Sequence, residues 1–361
     1  MTKDSTRRIP KMTAGLDLGD KHSYLCLIDT ESGDVIEEGR LRTTPEALGQ
    51  RFEGLEPMRV AIEVGTHSPW VSRLLEECGH EVLVANARKL RLIHQNKRKT
   101  DKIDAENLAR LARLDPKLLV PLKHRDEHTQ AHLALLRSRE ALVEARTQLV
   151  NHVRGSVKAF GARLPKCSTP SFHRKAAPEI PEELQEVLKP VLETIASLSA
   201  RIRDYDKRIE QIAVRLYPET ELLRQIRGVG PLTALAFVLT LEDPNRFKKS
   251  RVVGAYLGLA PAKRQSGERD PQRRISKEGD EMLRRLLVGS AHYILGPFGE
   301  DSDLRRHGEK IAQRGGKSAK KRAVVAVARK LSVLLHHLWI SGEAYEPFYN
   351  VQHPEEGDQV A

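Results

Sequence analysis

The sequence predicts an α/β domain followed by an all-α remainder, and three observations lead there. Residues 13–86 alternate short apolar runs with helix-period segments, each bounded by turn residues. From about residue 87 the helical period takes over. In the middle of the chain Leu184, Leu188, Val191, Ile195, Leu198, Ile202, Tyr205, Ile209, Ile212 and Leu216 recur by fours and threes without a miss. That is the repeat of about 3.5 residues that marks a coiled coil.

TAGLDLG reads as the first strand, and SYLCLIDT and DVIEEGRLRT continue it as hairpin-linked strands with ESGD as the turn between them. TPEALGQRFEGL is a helix, with Thr44 as N-cap, Pro45 at its first position and Glu46 in its first turn. MRVAIEV is the next strand, SPWVSRLLEECG a helix closed by Gly79, and HEVLVANA the last strand. Runs such as LCLI and VLVA suit strands buried under helices. Three strands in a meander, then helix, strand, helix, strand, is the order of a ribonuclease-H-like α/β domain.

Beyond the basic stretch RKLRLIHQNKRKTDK, IDAENLARLARL reads as a helix ending near Pro116, and a long helix follows over about 126–160 until RLPKCSTPSF breaks it. The heptads predict a long coiled coil, within or between subunits, with Pro190 placed to kink its first turn. LLRQIRGVGPLTALAFVLTL reads as helix, Gly-Val-Gly hairpin, helix, a helix-hairpin-helix-like element. Gly228 and Gly230 permit close backbone approach, Pro231 opens the second helix, and the backbone there is a candidate phosphate contact. The expected division is an α/β domain at 12–118, a helical coiled-coil and dimerisation region at 119–220, and a mainly helical C-terminal domain at 221–345. Residues 1–11 and 346–361 are expected to be flexible tails.

Lys and Arg total 61 against 49 Asp and Glu, a net charge of +12 with pI near 9.6. That balance suits a polyanionic partner, foremost nucleic acid. Cys26, Cys78 and Cys167 are isolated and make neither a disulfide framework nor a metal-ligand spacing, which points to a reducing cytoplasm. MTKDSTRRIPKM lacks the apolar stretch of a signal peptide. AVVAVARKLSVLLHHLW is interrupted by Arg329, Lys330, His336 and His337, which argues for an amphipathic helix and against a membrane span.

Four acids carry the chemistry. Asp17 ends the first strand and Glu63 a later one; if those strands are neighbours, both carboxylates reach one sheet edge. Asp101 and Asp104, three apart near a helix start, share a face. Singly, each reads as a surface carboxylate or a cap, Asp101 as the N-cap of the IDAENL helix. Together they repel unless cations neutralise them, and their hard oxygens suit Mg²⁺ or Mn²⁺. Ser266 lies in KRQSGERDPQRRISKEGD among Lys263, Arg264, Arg269, Arg273, Arg274 and Lys277. Guanidinium groups there can hold a scissile phosphate while the serine attacks it; alternatively the serine is a loop residue in a basic DNA-contact strip. Lys97, Arg98 and Lys99 are further candidate contacts beside the Asp101 helix. Ser276 is a second candidate nucleophile, though ISKEGD reads better as a helix cap with Lys277 on a phosphate.

Three blocks carry a family resemblance: GLDLGDKHSYLCLID with AIEVGTHSPW, then NKRKTDKIDAENLARL, then IRGVGPLTALAFVLTLEDPNRF through YLGLAPAKRQSGERDPQRRISKEGDEMLRRLL. They are similar to the DEDD-type transposases of the insertion sequence one-ten family over about residues 13–295. The resemblance implies a RuvC-like N-terminal domain and a serine-bearing C-terminal transposase domain joined by the coiled coil. By position it makes Asp17, Glu63, Asp101 and Asp104 the Mg²⁺-binding tetrad and Ser266 the nucleophile of a covalent phosphoserine–DNA intermediate. It further implies double-stranded donor and target DNA, a structured non-coding bridge RNA that pairs with both, and homodimers or homotetramers in a prokaryotic cytoplasm, at the nucleoid. In these the acids of one subunit complete a site with the serine of another. Competing readings are a metal-dependent RuvC-type structure-specific endonuclease with Ser266 as a DNA contact, and a structural DNA-bridging protein. An ATP-binding protein of the actin and sugar-kinase type shares the DLG loop but needs a second glycine-rich phosphate loop, which this sequence lacks.

Overall fold

Strand periodicity builds the first of the chain's two units, Met1–Asp126. The computed structural model describes residues 10–86, 100–262 and 273–349. Strands β1 (Met12–Asp17), β2 (His22–Asp29) and β3 (Val35–Arg42) form an antiparallel meander. Strand β4 (Arg59–Glu63) pairs in parallel with β1, and β5 (Glu81–Ala85) in parallel with β4. The order β3-β2-β1-β4-β5 is compatible with the expected ribonuclease-H-like α/β domain. Helix α1 (Pro45–Phe52) starts as the sequence indicates, with Thr44 Oγ1 accepting from the Ala47 amide and Pro45 at the first position.

Side-chain alternation sorts the sheet into two faces. Ala14, Leu16, Val60 and Ile62 pack with Leu48 and Phe52 of α1 and with Val71 and Leu75 of α2 (Ser68–Glu77). The opposite face, with Cys26, Ile28, Ala61 and Ala85, is covered by α3 (Asp101–Leu114) through Ala105, Leu108, Ala109 and Ala112.

The second unit, Glu127–Ala361, is helical among its described residues apart from one short ladder. The expected long helix is α4 (Glu127–Ala159). The short α5 (Phe172–Ala176) follows, and the heptads form α6 (Glu182–Leu216), which runs through Pro190. Arg139 pairs with Asp206 at 2.6 Å and Arg146 donates to Ser199 Oγ at 3.2 Å, so α4 and α6 run antiparallel. Alternate heptad positions differ. Leu188, Ile195, Ile202 and Ile209 are fully buried, each worth about 2 kcal/mol. Leu184, Val191, Leu198, Tyr205 and Ile212 are half-buried, and Leu216 is exposed. One line of the repeat is therefore taken up within the chain.

The remaining core gathers α7 (Glu219–Leu223), α8 (Pro231–Leu241), α9 (Arg251–Tyr256), α10 (Glu281–Ile294), α11 (Asp303–Gln313) and α12 (Ala319–Ser341). HGEKIAQRGGKSAKKRAVVAVARK is two helices, because Gly315 and Gly316 both take positive φ and break it. Helix α12 keeps the expected two-sided character: Ala323, Val324, Val327, Ala328, Leu331 and Leu335 are buried along one broad face, with Ser332 and His336 among them, whereas Arg322, Arg329, Lys330 and His337 are not buried. It is long and apolar enough to cross a membrane by length and composition, and 56% of that apolar window is buried within the unit. His336 is fully buried without charge, its Nε2–H donating to the Pro244 carbonyl and its Nδ1 accepting from Ser250 Oγ, both at 2.9 Å.

Candidate functional site

Parity places the first two acids. Residues 14, 16, 60 and 62 face α1 and α2, so Asp17 and Glu63 belong to the α3 face. Leu16 pairs with Ile62, so the next residues, Asp17 and Glu63, end neighbouring parallel strands at one edge.

A close backbone approach brings α3 to that edge. A Cβ on Gly15 would lie 2.0 Å from the Ala105 carbonyl oxygen and 2.5 Å from the Ala109 nitrogen. Only glycine lets β1 and α3 come this near, and nothing local in the sequence signals it. At the other end Arg59 bonds Glu81 at 3.0 Å and the Ala112 carbonyl at 3.1 Å, which ties the C-terminal part of α3 to the strand starts. Helix α3 is thus antiparallel to β1 and β4. Asp101, four residues before Ala105, lies about 6 Å further along the helix, and Asp17, two after Gly15, about 6.6 Å along the strand. Asp101 falls on the line of Gly15 and Asp17. Asp104, which shares a helix face with Leu108 and Ala112, falls on the line of Ala61 and Glu63.

Asp104 is buried at 4% exposure, Asp17 and Glu63 are half-buried, and Asp101 is exposed. Asp101 is not the helix cap: Thr100 is, its Oγ1 accepting from the Ile103 amide at 3.3 Å. That leaves Asp101 inside the first turn, where the helix dipole favours a carboxylate. Cross-braces hold α3 flat, with Lys102 on Glu38 and Arg113 donating to the Thr30 and Glu31 carbonyls at 2.9 and 2.8 Å. The loops after β1 and β4 also meet, His67 Nε2 lying 3.6 Å from Asp20 Oδ1 and His67 Nδ1 accepting from Trp70 Nε1 at 3.1 Å.

Four carboxylates suit Mg²⁺ or Mn²⁺ in donor chemistry, and strand ends and helix start converge on one edge. The ligand shell itself is not assembled. Among the described residues no three His, Cys, Asp or Glu side chains gather closely enough to hold a metal ion, and Asp17, Glu63 and Asp104 each have another interaction.

In the second unit, Ser266 with Lys263, Arg264 and Arg269 lies outside the described residues, as do Lys97, Arg98 and Lys99 in the first. What is described is the stem from which the Ser266 segment leaves and to which it returns. Lys277 N donates to Gly258 O at 3.1 Å, Ser276 N to Ala260 O at 2.9 Å and Ala262 N to Arg274 O at 3.0 Å. Two left-handed glycines lock this ladder. A Cβ on Gly258 (φ +70°) would sit 2.1 Å from Glu278 O, and one on Gly279 (φ +80°) 2.2 Å from Tyr256 O. Arg284 fastens both sides by donating to the Leu257 and Glu278 carbonyls at 3.1 and 2.9 Å.

ISKEGD caps its helix through Asp280, not Ser276: Asp280 Oδ1 accepts from the Leu283 amide at 2.8 Å. Ser276 makes a turn, its Oγ accepting from the Glu278 amide, and Lys277 stands in the left-handed region at φ +58°. Arg273 and Arg274 are exposed on the returning strand. In the Gly-Val-Gly turn the two glycines differ. Gly228 (φ +99°) serves packing within the chain, since a Cβ there would lie 2.9 Å from the Tyr293 ring. A Cβ on Gly230 meets nothing within 4 Å among the described residues.

Comparison with known proteins agrees with these blocks. A family model described as a transposase, the DEDD type of IS110, matches residues 14–161, and one described as the transposase IS116/IS110/IS902 family matches 220–302. A Sinorhizobium fredii protein named as a transposase, y4pF/y4sB, is 31% identical over 81% of this chain and 76% of its own. A Pseudomonas aeruginosa protein named as a family 20 transposase is 30% identical over 82% of this chain and 88% of its own. The transposase for insertion sequence element IS1111A of Coxiella burnetii is 28% identical over 68% of each chain.

Proposed function

Because this chain belongs to the IS116/IS110/IS902 transposase family, we propose that it moves an insertion sequence by cutting and rejoining DNA strands, with Asp17, Glu63, Asp101 and Asp104 holding Mg²⁺ and Ser266 as the nucleophile. The observation that carries this reading is the Gly15–Ala105 approach, which supports one edge for all four acids. A divalent ion bound there supplies charge stabilisation for the attacking and leaving oxygens.

The chain's own groups divide the remaining work. Ser266 Oγ attacks the scissile phosphorus and its proton passes to a carboxylate. The bond from phosphorus to one sugar oxygen breaks, and that oxygen leaves with a proton as a hydroxyl. One phosphodiester is exchanged for another, so a sugar hydroxyl can reverse the step and join strands without an external energy source. Arg273, Arg274 and Lys277 on the stem, with Lys263, Arg264 and Arg269, hold the phosphate and stabilise its developing charge. Gly230 is kept as a backbone phosphate contact; Gly228 is committed to packing. The reading further takes a bridge RNA to choose donor and target, homodimers or homotetramers built on the half-buried heptad line, acids and serine supplied by different subunits, and a prokaryotic, nucleoid-associated setting.

The test is Ser266→Ala with labelled DNA carrying the element's ends. Both the covalent protein–DNA adduct and the joined product should disappear. Surviving strand transfer rules out covalent serine catalysis. Surviving cleavage without joining favours the RuvC-type endonuclease, with water as nucleophile. Mixing Asp17→Asn and Ser266→Ala subunits should restore part of the activity if sites are shared. Sequencing RNA that co-purifies with the protein tests the guide: a discrete RNA from DNA flanking the gene is expected.

A further inference from the structure

From Lys310 to Gly342 the sequence contains no Asp or Glu. Six cations crowd the junction between α11 and α12: Lys310, Arg314, Lys317, Lys320, Lys321 and Arg322, all exposed. None is paired with a carboxylate among the described residues. Several cations elsewhere in this unit are matched. Arg285 bonds Glu140 and Glu144, Arg224 bonds Glu210, and Arg305 and Arg306 take Glu309 and Asp301. The field at the junction is felt by His307, which burial first, then Lys330, Arg314 and Lys310, push below the ordinary histidine range. So many like charges gathered without acids repel one another unless a polyanion lies against them.

Packing within the unit says where that polyanion leads. Helix α9 contacts α12 through Ser250 on His336, and a Cβ on Gly254 would meet Arg329 Cγ at 2.9 Å and Ser332 Oγ at 3.6 Å. Advancing along α9 therefore means moving back along α12 toward its N-terminus. The end of α9 passes directly into the Gly258–Ala262 side of the Ser266 stem. Carried on at the same slope, that end lies within about two helical turns of Lys320–Arg322. The stem and the cationic junction sit at one end of the same core.

We propose that the α11–α12 junction is a sequence-independent docking surface for the backbone of duplex DNA, which runs from these cations to the Ser266 stem. It deepens the transposase reading and rests on it, because that reading makes DNA the substrate at the stem. The surface positions the duplex and takes no part in bond breaking.

The test is binding of a random-sequence DNA duplex, followed by anisotropy across salt concentrations, using the full chain. Lys320→Gln, Lys321→Gln and Arg322→Gln together should lower the slope of log affinity against log salt by about 2–3, since each phosphate contact contributes roughly 0.9. A control of equal charge, Lys158→Gln, Lys166→Gln and Lys189→Gln on the exposed helical hairpin, should leave the slope near that of the parent. Equal effects from the two triples, or an unchanged slope in the first, overturn the proposal. A slope lost for an RNA duplex and kept for DNA overturns it also, and makes this an RNA surface. Because the substituted groups are exposed, circular dichroism melting should match the parent. The Ser266→Ala protein should bind with the full slope. If that variant still forms adducts, the serine assignment fails while this surface stands.

Discussion

The acid edge of the first unit and the serine stem of the second are built by different means. At the acid edge, regular secondary structure does the placing: parity turns Asp17 and Glu63 to one face, and helix periodicity sets Asp101 and Asp104 above them. At the stem, irregular backbone does it, through two left-handed glycines, a short ladder and the Arg284 clasp. A site on strand ends inherits the rigidity of the sheet, whereas a site on a loop depends on how tightly its stem is pinned. Both devices share one vulnerability, a glycine whose missing Cβ makes room for backbone.

Those glycines give the largest expected effects. Gly15→Ala sets a methyl 2.0 Å from a backbone oxygen, so α3 must lift from β1, at a cost of about 3 kcal/mol. Gly279→Ala meets backbone at 2.2 Å and strains a positive φ, a similar cost of about 3 kcal/mol. Hydrogen exchange read separately for the two units breaks or keeps the comparison. Gly15→Ala should deprotect amides of the first unit and spare α8 and α12, and Gly279→Ala the reverse. If Gly15→Ala leaves α3 and β1 as protected as in the parent, the close approach does not hold the acid edge.

A second experiment asks whether the acid edge, unlike the stem, is a metal site. Mg²⁺ at ten times its dissociation constant should raise the first unit's stability by about 1.4 kcal/mol. The Asp17→Asn, Glu63→Gln, Asp101→Asn, Asp104→Asn protein should show no such gain. A Mg²⁺ effect that survives in this variant would place the ion elsewhere.

Helix caps sharpen the comparison at smaller scale. Thr100 caps the helix that carries two of the acids, and Asp280 caps the helix that follows the stem. Replacing either by alanine should cost about 1 kcal/mol. Thr100→Ala should weaken Mg²⁺ binding as well, by loosening the turn that holds Asp101 and Asp104, while Asp280→Ala should leave it unchanged.

Legibility in the sequence followed the same division. Thr44, Pro45, the strand ends at Asp17 and Glu63, and the helix over Asp101 to Leu114 were readable because caps and alternation are local signals. Gly15 was not, because what forbids a side chain there is a helix ninety residues later. Thr100 and Asp101 stand side by side, as do Ser276 and Asp280 within one turn. Both members of each pair are good caps, and only backbone geometry chooses. The heptads announced a long helix but not its partner, since the repeat is the same whether the facing helix belongs to the chain or to another copy. In α12 the two-sided pattern was readable, but the burial of His336 was not, because its partners Ser250 and the Pro244 carbonyl stand 86 and 92 residues earlier.

The smallest effect concerns acid, and it too pairs the two units. His124 in the first unit is held below the ordinary histidine range by burial, then by Arg73 and Arg125, and its Nε2 is buried without a partner among the described residues. His336 in the second is lowered by burial and by His337, although its bond to Pro244 opposes this, and both its nitrogens are bonded. In each case the folded protein refuses a proton that the unfolded chain accepts below about pH 6.5. Stability is therefore complete well above that pH and declines as pH falls toward the folded value, by at most about 0.8 kcal/mol per group at pH 6. Substitution separates them. His124→Phe should remove its share of the acid decline with little cost at neutral pH, because it discards an unpartnered nitrogen. His336→Phe should remove its share too, but it should lower stability at pH 7.5 by about 1–3 kcal/mol, because the Pro244 carbonyl loses its donor and Ser250 its acceptor. Urea denaturation at pH 7.5 and pH 6 measures both. Equal neutral-pH costs for the two variants would mean that the His124 nitrogen has a partner after all, and that the two buried histidines are built alike.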